Sequence, residues 1–183
     1  MKNVLVLNGS PDGTYAMNRQ LERLVHALRQ QSMIADQVTL RDLSIRHCTG
    51  CWNCWVKTPG ECIHHDDAAD VLRRLLRADL LVMASPLVMG HPSAVLKRFM
   101  DRMIPLVHPY VQWDRGECHH YARYAQYPKL ALYLEKEADT DEEDIAITTD
   151  LMSRAARNLK SSLVFTRTLE DNMDEVCDEI NRL

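Results

Sequence analysis

The chain has 183 residues, of which 46% are apolar and 26% charged, and its net charge is −4. That balance is the composition of a globular protein and excludes a disordered, collagen-like or coiled-coil chain. No surplus of Lys and Arg exists to neutralise a phosphate backbone, so nucleic acid is not an expected partner. The longest apolar run, 78–89, is broken by Asp79, Ser85 and Pro86 and falls short of the ~18 residues of a membrane span. At ~150 residues per domain, one domain over 1–183 is expected.

The N-terminal apolar stretch is too short for a secretory leader, and no small-residue cleavage site follows it. The cytoplasm is therefore the expected compartment, with the six Cys as thiols or metal ligands rather than structural disulfides. Residues 4–7 read as a buried strand, and Leu21, Leu24, Val25 and Leu28 place a helix over 15–31. A second strand is expected over 37–43. The Cys-rich segment 47–62 reads as a loop punctuated by Gly50, Pro59 and Gly60. Asp66 or Asp67 is the expected cap of a helix carrying Val71, Leu72, Leu75 and Leu76.

Residues 80–84 are the most apolar strand. A helix over 92–103 follows, with Pro92 in its first turn. The connection 105–127 reads as irregular, and its length hints at function. A fourth strand covers 129–134. Acidic residues 139–144 open the next helix and Arg154, Arg157 and Lys160 close it, as the helix dipole favours. A fifth strand at 163–166 and an amphipathic helix carrying Met173, Val176, Cys177, Ile180 and Leu183 complete the chain. This alternation predicts an α/β three-layer sandwich with a five-stranded parallel sheet. The flavodoxin-like order 2-1-3-4-5 is the common solution.

In such a sheet, ligands bind beyond the carboxyl ends of the strands at the switch point, here between strands one and three. The loop from Asn8 to Gln20 is rich in hydroxyls and amides and runs into a helix N-terminus, a natural seat for a phosphate. Gly9 allows a sharp turn. Ser10 offers a hydroxyl, and Asn18, Arg19 and Gln20 are placed to reach the anion. The loop has neither G-x-x-x-x-G-K-[ST] nor G-x-G-x-x-G, which disfavours a nucleoside triphosphatase and a Rossmann site. Taken alone, it also reads as a polar connection that binds nothing. The turn Ser85-Pro86-Leu87-Val88-Met89-Gly90 is expected beside it. A phosphate seat next to an apolar turn suits an anionic tail with a flat aromatic head, as in FMN.

Asn8-Gly9-Ser10-Pro11, Ser85-Pro86 and the stretch Leu96-Lys97-Arg98-Phe99-Met100-Asp101-Arg102 resemble the NAD(P)H-dependent FMN reductases of the flavodoxin-like fold. Cys48-Thr49-Gly50-Cys51-Trp52-Asn53-Cys54-Trp55, with Pro59-Gly60-Glu61-Cys62 and Asp66-Asp67, is similar to the cysteine-bearing branch that includes the iron–sulfur flavoproteins. The resemblance covers about 1–104. It implies that Ser10 to Gln20 hold the FMN phosphate and that Ser85 to Gly90 lie along the ribityl chain and the ring. It also implies NAD(P)H as co-substrate, a small electron acceptor such as a quinone, and a homodimer or homotetramer. The chain departs from that pattern in two places. No aromatic stands near Leu87 or Val88. The third loop, Glu135-Lys136-Glu137-Ala138-Asp139-Thr140, lacks Gly and carries carboxylates, which disfavour an anionic reduced flavin.

Cys48, Cys51, Cys54 and Cys62 follow C-x2-C-x2-C-x7-C. Four thiolates so close repel one another unless a cation offsets them, so a 4Fe-4S cluster and a zinc ion are open readings. Free thiols or a redox-active pair beside the flavin is the favoured one, because Trp52, Trp55 and Pro59 would pack the loop without metal. Cys177 reads as core, and Cys118 is isolated. The pairs His64-His65 and His119-His120 alternate in direction on a strand and so are expected on the surface or locally satisfied, not on one ion. Trp113, Tyr121, Tyr124 and Tyr127, interleaved with Arg115 and Arg123, suit a lid or a subunit contact. Three functional readings stand: an FMN-dependent oxidoreductase, an iron–sulfur flavoprotein, and a flavodoxin-like binding protein with a degraded flavin site.

Overall fold

The computed structural model describes residues 1–183. The first strand, β1 (Asn3–Asn8), begins almost at once. Its side chains alternate between two cores: Val4 and Val6 pack with Leu21, Leu24 and Leu28, while Leu5 and Leu7 pack with Leu81 and Met83. A strand covered on both faces has no solvent side, and this is why it reads as unbroken apolar sequence. Helix α1 (Ala16–Gln30) returns the chain over the first of those cores.

The second strand, β2 (Ile34–Thr39), lies earlier than the sequence suggests and gives way to a 3-10 turn over Leu40–Asp42. The Cys segment is a loop with one short helix inside it, α2 (Asn53–Val56). Next come α3 (Ala68–Leu75), β3 (Leu80–Val88), β4 (His91–Pro92) and α4 (Ala94–Asp101). At α3 it is the Asp66 carboxylate that accepts from the Ala68 amide, whereas Asp67 accepts from Ser44. Pro92 is not in a helix. It pairs with Leu87 in a tight hairpin, and Ser93 caps α4 by accepting from the Leu96 amide.

The connection at 105–127 is not irregular. It holds a 3-10 turn (Ile104–Leu106) and a two-stranded hairpin, β5 (Val107–Asp114) with β6 (Glu117–Ala122). The hairpin closes at Arg115-Gly116, where φ is 51° and 86°, the left-handed pair that a two-residue turn demands. Its outer residues stay exposed, Trp113 by 74%, so it shows no two-sided apolar run.

The chain ends in β7 (Lys129–Glu135), α5 (Glu142–Asn158), β8 (Leu163–Thr168) and α6 (Met173–Arg182). Asp141 and Asp144 form a reciprocal capping box on α5. The main sheet runs β2-β1-β3-β7-β8, every neighbour parallel. Counted in chain order, those five strands give the flavodoxin-like order 2-1-3-4-5. Helices α1 and α6 feed one core, and α3, α4 and α5 feed the other. No helix is long and apolar enough to cross a membrane.

Candidate functional site

Parallel registry sets the site. Asn8 stands beside Thr39 on one side and Ala84 on the other, and Pro86 stands beside Glu135. The loops leaving β1, β2, β3 and β7 therefore converge on one edge of the sheet. The first is joined to the third by hydrogen bonds. The Gly9 amide donates to the Ala84 carbonyl at 2.8 Å. The Ser93 hydroxyl donates to the Gly9 carbonyl at 2.5 Å, and the Ser93 amide donates to Ser85 Oγ at 2.8 Å. A Cβ on Gly9 would lie 2.8 Å from both Ala84 O and Leu96 Cβ. Only glycine permits that approach.

Inside the first loop, Asn18 is fully engaged. Its Oδ1 accepts from Asn8 Nδ2 and from Arg41 Nη1, and its Nδ2 donates to the carbonyls of Asp12 and Tyr15. It is a brace for the loop. Arg41, from the turn after β2, brings a guanidinium to this edge and also donates to the Ser10 carbonyl. The sequence reading missed it by carrying the second strand through residue 43; ending that strand at Thr39 would have exposed it. Thr14, through hydroxyl and amide, holds the Asp12 carboxyl below its ordinary value.

Ser10 is buried, and its hydroxyl has no hydrogen-bond partner. A sealed, unpaired hydroxyl is a standing cost that a ligand oxygen would remove. Arg19 lies in the first turns of α1 without a bonded partner, whereas Gln20 accepts from Arg23 and borders a surface depression with His26 and Asp171. Gln20 thus stands apart from Ser10 and Asn18.

The third loop, expected only as a departure from pattern, takes part directly. The Glu135 carboxylate accepts from the α1 amides of Ala16 (3.0 Å) and Met17 (2.8 Å). The Glu137 carboxylate accepts from the Met89 amide at 2.8 Å. These are the free donors that the helix terminus and the β3 turn present. A carboxylate there stands in for other anionic oxygens and demonstrates that the terminus holds an anion. Of the β3 turn, Ser85 and Leu87 are buried, Ser85 through its bonds to Ser93 and Pro86. Val88 and Met89 are exposed, Met89 by 87%, and they present the apolar surface. Met89 and Gly90 both take positive φ.

The Cys loop lies elsewhere. Trp55 donates from its indole to the carbonyls of Ile104 and Val107, and Trp52 packs on Trp55 with ring centroids 4.8 Å apart. Cys62 lies against Arg102, just past the end of α4. Ser93 at the start of α4 touches Gly9, so nine residues of mostly helical rise, roughly 14 Å, separate the thiols from the phosphate loop.

Cys48, Cys51, Cys54 and Cys62 do line one small pocket, of about 20 Å³. That is room for about one water molecule. No group of three or more His, Cys, Asp or Glu is arranged to hold a metal ion. The side chains as placed do not fit a four-thiolate ligand set. Burial pushes the Cys54 thiol up, with the neighbouring charges of Cys62, Cys48 and Cys51 adding to it. The Asn53 amide holds the exposed Cys51 down.

A doubly wound parallel sheet with this strand order, whose first loop meets a charged third loop at the carboxyl edge, defines a flavodoxin-like α/β protein. The model of the family described as NADPH-dependent FMN reductase matches residues 2–118, and the chain belongs to that family. Among curated proteins it is 32% identical over 108 residues to an iron–sulfur flavoprotein of Archaeoglobus fulgidus, covering 59% of this chain and 48% of that one. The chain spans about half the length of the curated relatives it matches. Among solved structures it resembles an NAD(P)H:quinone oxidoreductase from Methanothermobacter marburgensis, with TM-score 0.62, 17% identity, and 99% and 94% of the two chains covered. It also resembles an FMN-dependent NADH-azoreductase from Bacillus anthracis in complex with FMN, with TM-score 0.63, 11% identity, and 100% and 95% covered. At such identities the likeness is one of fold.

Proposed function

We propose that the protein is an FMN-dependent oxidoreductase that carries electrons from NAD(P)H to a small acceptor such as a quinone. One observation carries the reading: the buried, unpartnered Ser10 hydroxyl follows β1 directly, beside an α1 terminus that already binds a carboxylate. The residues present fit an FMN phosphate. Ser10 donates its hydroxyl, Arg41 supplies the cation, and Asn18 fixes the loop. Glu135 must yield the Ala16 and Met17 amides. Val88 and Met89 offer an apolar face for the ring, and the Met89 amide becomes a donor to its polar edge when Glu137 withdraws.

Bound FMN supplies the hydride and electron chemistry. The chain's part is to seat the tail, present one apolar face and leave the other open to substrates. No side-chain acid or base is required for this. The curated relatives are named iron–sulfur flavoproteins, and the second reading carries that likeness to this chain as a 4Fe-4S cluster on Cys48, Cys51, Cys54 and Cys62. That reading requires the four thiols to rearrange. The expected assembly is a homodimer or homotetramer of one-domain chains in the cytoplasm.

The test is the visible spectrum of anaerobically purified protein, followed by titration with FMN and turnover of NADH with a quinone. Two flavin bands with turnover support the proposal. A broad shoulder with bound iron moves it to the cluster reading. A colourless protein that takes up no FMN overturns it.

A further inference from the structure

A second cavity is lined by none of the Ser10 loop residues. It has a volume of about 190 Å³ and sits under the β5–β6 hairpin, between the sheet, α5 and the end of α4. Trp55, Met83, Met100 and Met103 are part of its apolar wall, and His120 and Asn158 are its polar members. Met100 is seven residues along α4 from Ser93, about 10 Å from the end that touches Gly9.

The histidine pair on β6 separates sharply. His119 is satisfied on both nitrogens, Nδ1 with Asn158 Oδ1 at 3.0 Å and Nε2 with Glu117 at 2.9 Å. His120 stacks on Trp55 with ring centroids 5.0 Å apart, and its Nδ1 is buried with no partner. A buried ring nitrogen without a partner marks a place where a hydrogen-bonding group belongs. The walls around it are apolar and rich in sulfur, and methionine favours aromatic rings. An apolar cavity of ~150 Å³ accepts benzene, so this one has room for a single ring and one small substituent.

We propose that this cavity is a binding site for a single-ring phenol. The ring lies among Trp55 and the three methionines. Its hydroxyl donates to His120 Nδ1, with the imidazole proton on Nε2. The Asn158 amide borders the same polar end with its Oδ1 already committed to His119. The site needs neither the flavin nor the thiols.

The test is an NMR titration of the full ¹⁵N-labelled chain with phenol, benzene and cyclohexanol, with and without saturating FMN. Phenol should saturate at one site, shifting the Trp55 indole and Ala155 in both states, and should bind roughly three- to ten-fold tighter than benzene for its one hydrogen bond. Cyclohexanol should bind more weakly than phenol. His120→Phe should erase the preference for phenol over benzene, and Ala155→Met should fill the cavity and abolish both. Equal binding of phenol and benzene to the natural sequence overturns the proposal, and that comparison needs no variant. So do shifts centred on Ser10 and Met89, failure of phenol to bind, or binding that survives Ala155→Met.

Discussion

Glu135, the last residue of β7, accepts a hydrogen bond from the Met17 amide in the first turn of α1, at 2.8 Å across 118 residues of chain. Its other oxygen takes the Ala16 amide. The positive end of the helix thus carries an anion supplied by the protein itself, an interaction of roughly 0.3–1 kcal/mol. A phosphate seated there must displace it. Glu135→Gln is expected to tighten FMN binding about three- to ten-fold and to lower the melting temperature of the FMN-free protein slightly. Quenching of FMN fluorescence on titration measures the first effect; unchanged affinity would place the phosphate away from these amides.

Ser10→Ala removes a hydroxyl that has no partner in the FMN-free fold. Its effect on unliganded stability should be near zero or favourable, since a buried orphan is removed. Its effect on FMN should be a loss of roughly ten-fold, the usual worth of a hydrogen bond to a charged group. Equal losses in stability and in affinity would assign Ser10 to folding alone.

Gly9→Ala tests the close approach of β1 to β3. The new Cβ would meet backbone at Ala84 and the side chain of Leu96, both at 2.8 Å. A loss of about 1–3 kcal/mol is expected from overpacking, read by urea unfolding, together with weaker FMN binding as the loop shifts.

The Asp66–Arg102 pair gives an acid-dependent stability. Burial works to raise the Asp66 carboxyl, but the guanidinium of Arg102 and the amides of Arg46 and Ala68 outweigh it and hold it below 3.8. A depressed carboxyl stabilises the fold above its unfolded value, and that share is lost as pH falls through the lower folded value. Stability should therefore fall below about pH 4. In Asp66→Asn the acid loss should be shallower and the neutral-pH stability lower by about 3–5 kcal/mol, because Arg102 is left buried and unpaired. Equilibrium denaturation between pH 2 and 7 checks both.

Among the loop thiols, Cys51 is exposed and held down by the Asn53 amide, while burial and neighbouring thiol charges push Cys54 up. Because the thiolate is the nucleophile, iodoacetamide at neutral pH should label Cys51 well before Cys54 and the buried Cys177. Peptide mapping with time gives the order, and the reverse order would refute the assignment.

The main-sheet strands other than β2, and the long helices, were legible because each obeys a local rule. Val4 to Leu7 and Leu80 to Ala84 are covered on both faces, and α1 keeps an apolar stripe with Met17, Leu21, Leu24 and Leu28 inside. The β5–β6 hairpin was not legible. Its strands mix exposed Tyr110, Val111 and Trp113 with half-buried neighbours, so no clean alternation marks them, and Arg115-Gly116 is a less familiar turn than Asn-Gly. Pro92 read as a helix opener because proline favours both a first helical turn and a strand edge.

For the site, the sequence by itself determined that Ser10 and Asn18 share the loop after the first strand and that a four-thiol loop exists, since neighbours in sequence share a loop whatever the fold. Tertiary structure alone decided that Glu135 and Glu137 occupy the amides of Met17 and Met89, that Arg41 joins Asn18, and that the thiols lie at the far end of α4. Those pairings bridge segments about 20 to 120 residues apart. They arise from which strand tips the parallel order brings side by side, and no local pattern of residues carries that information.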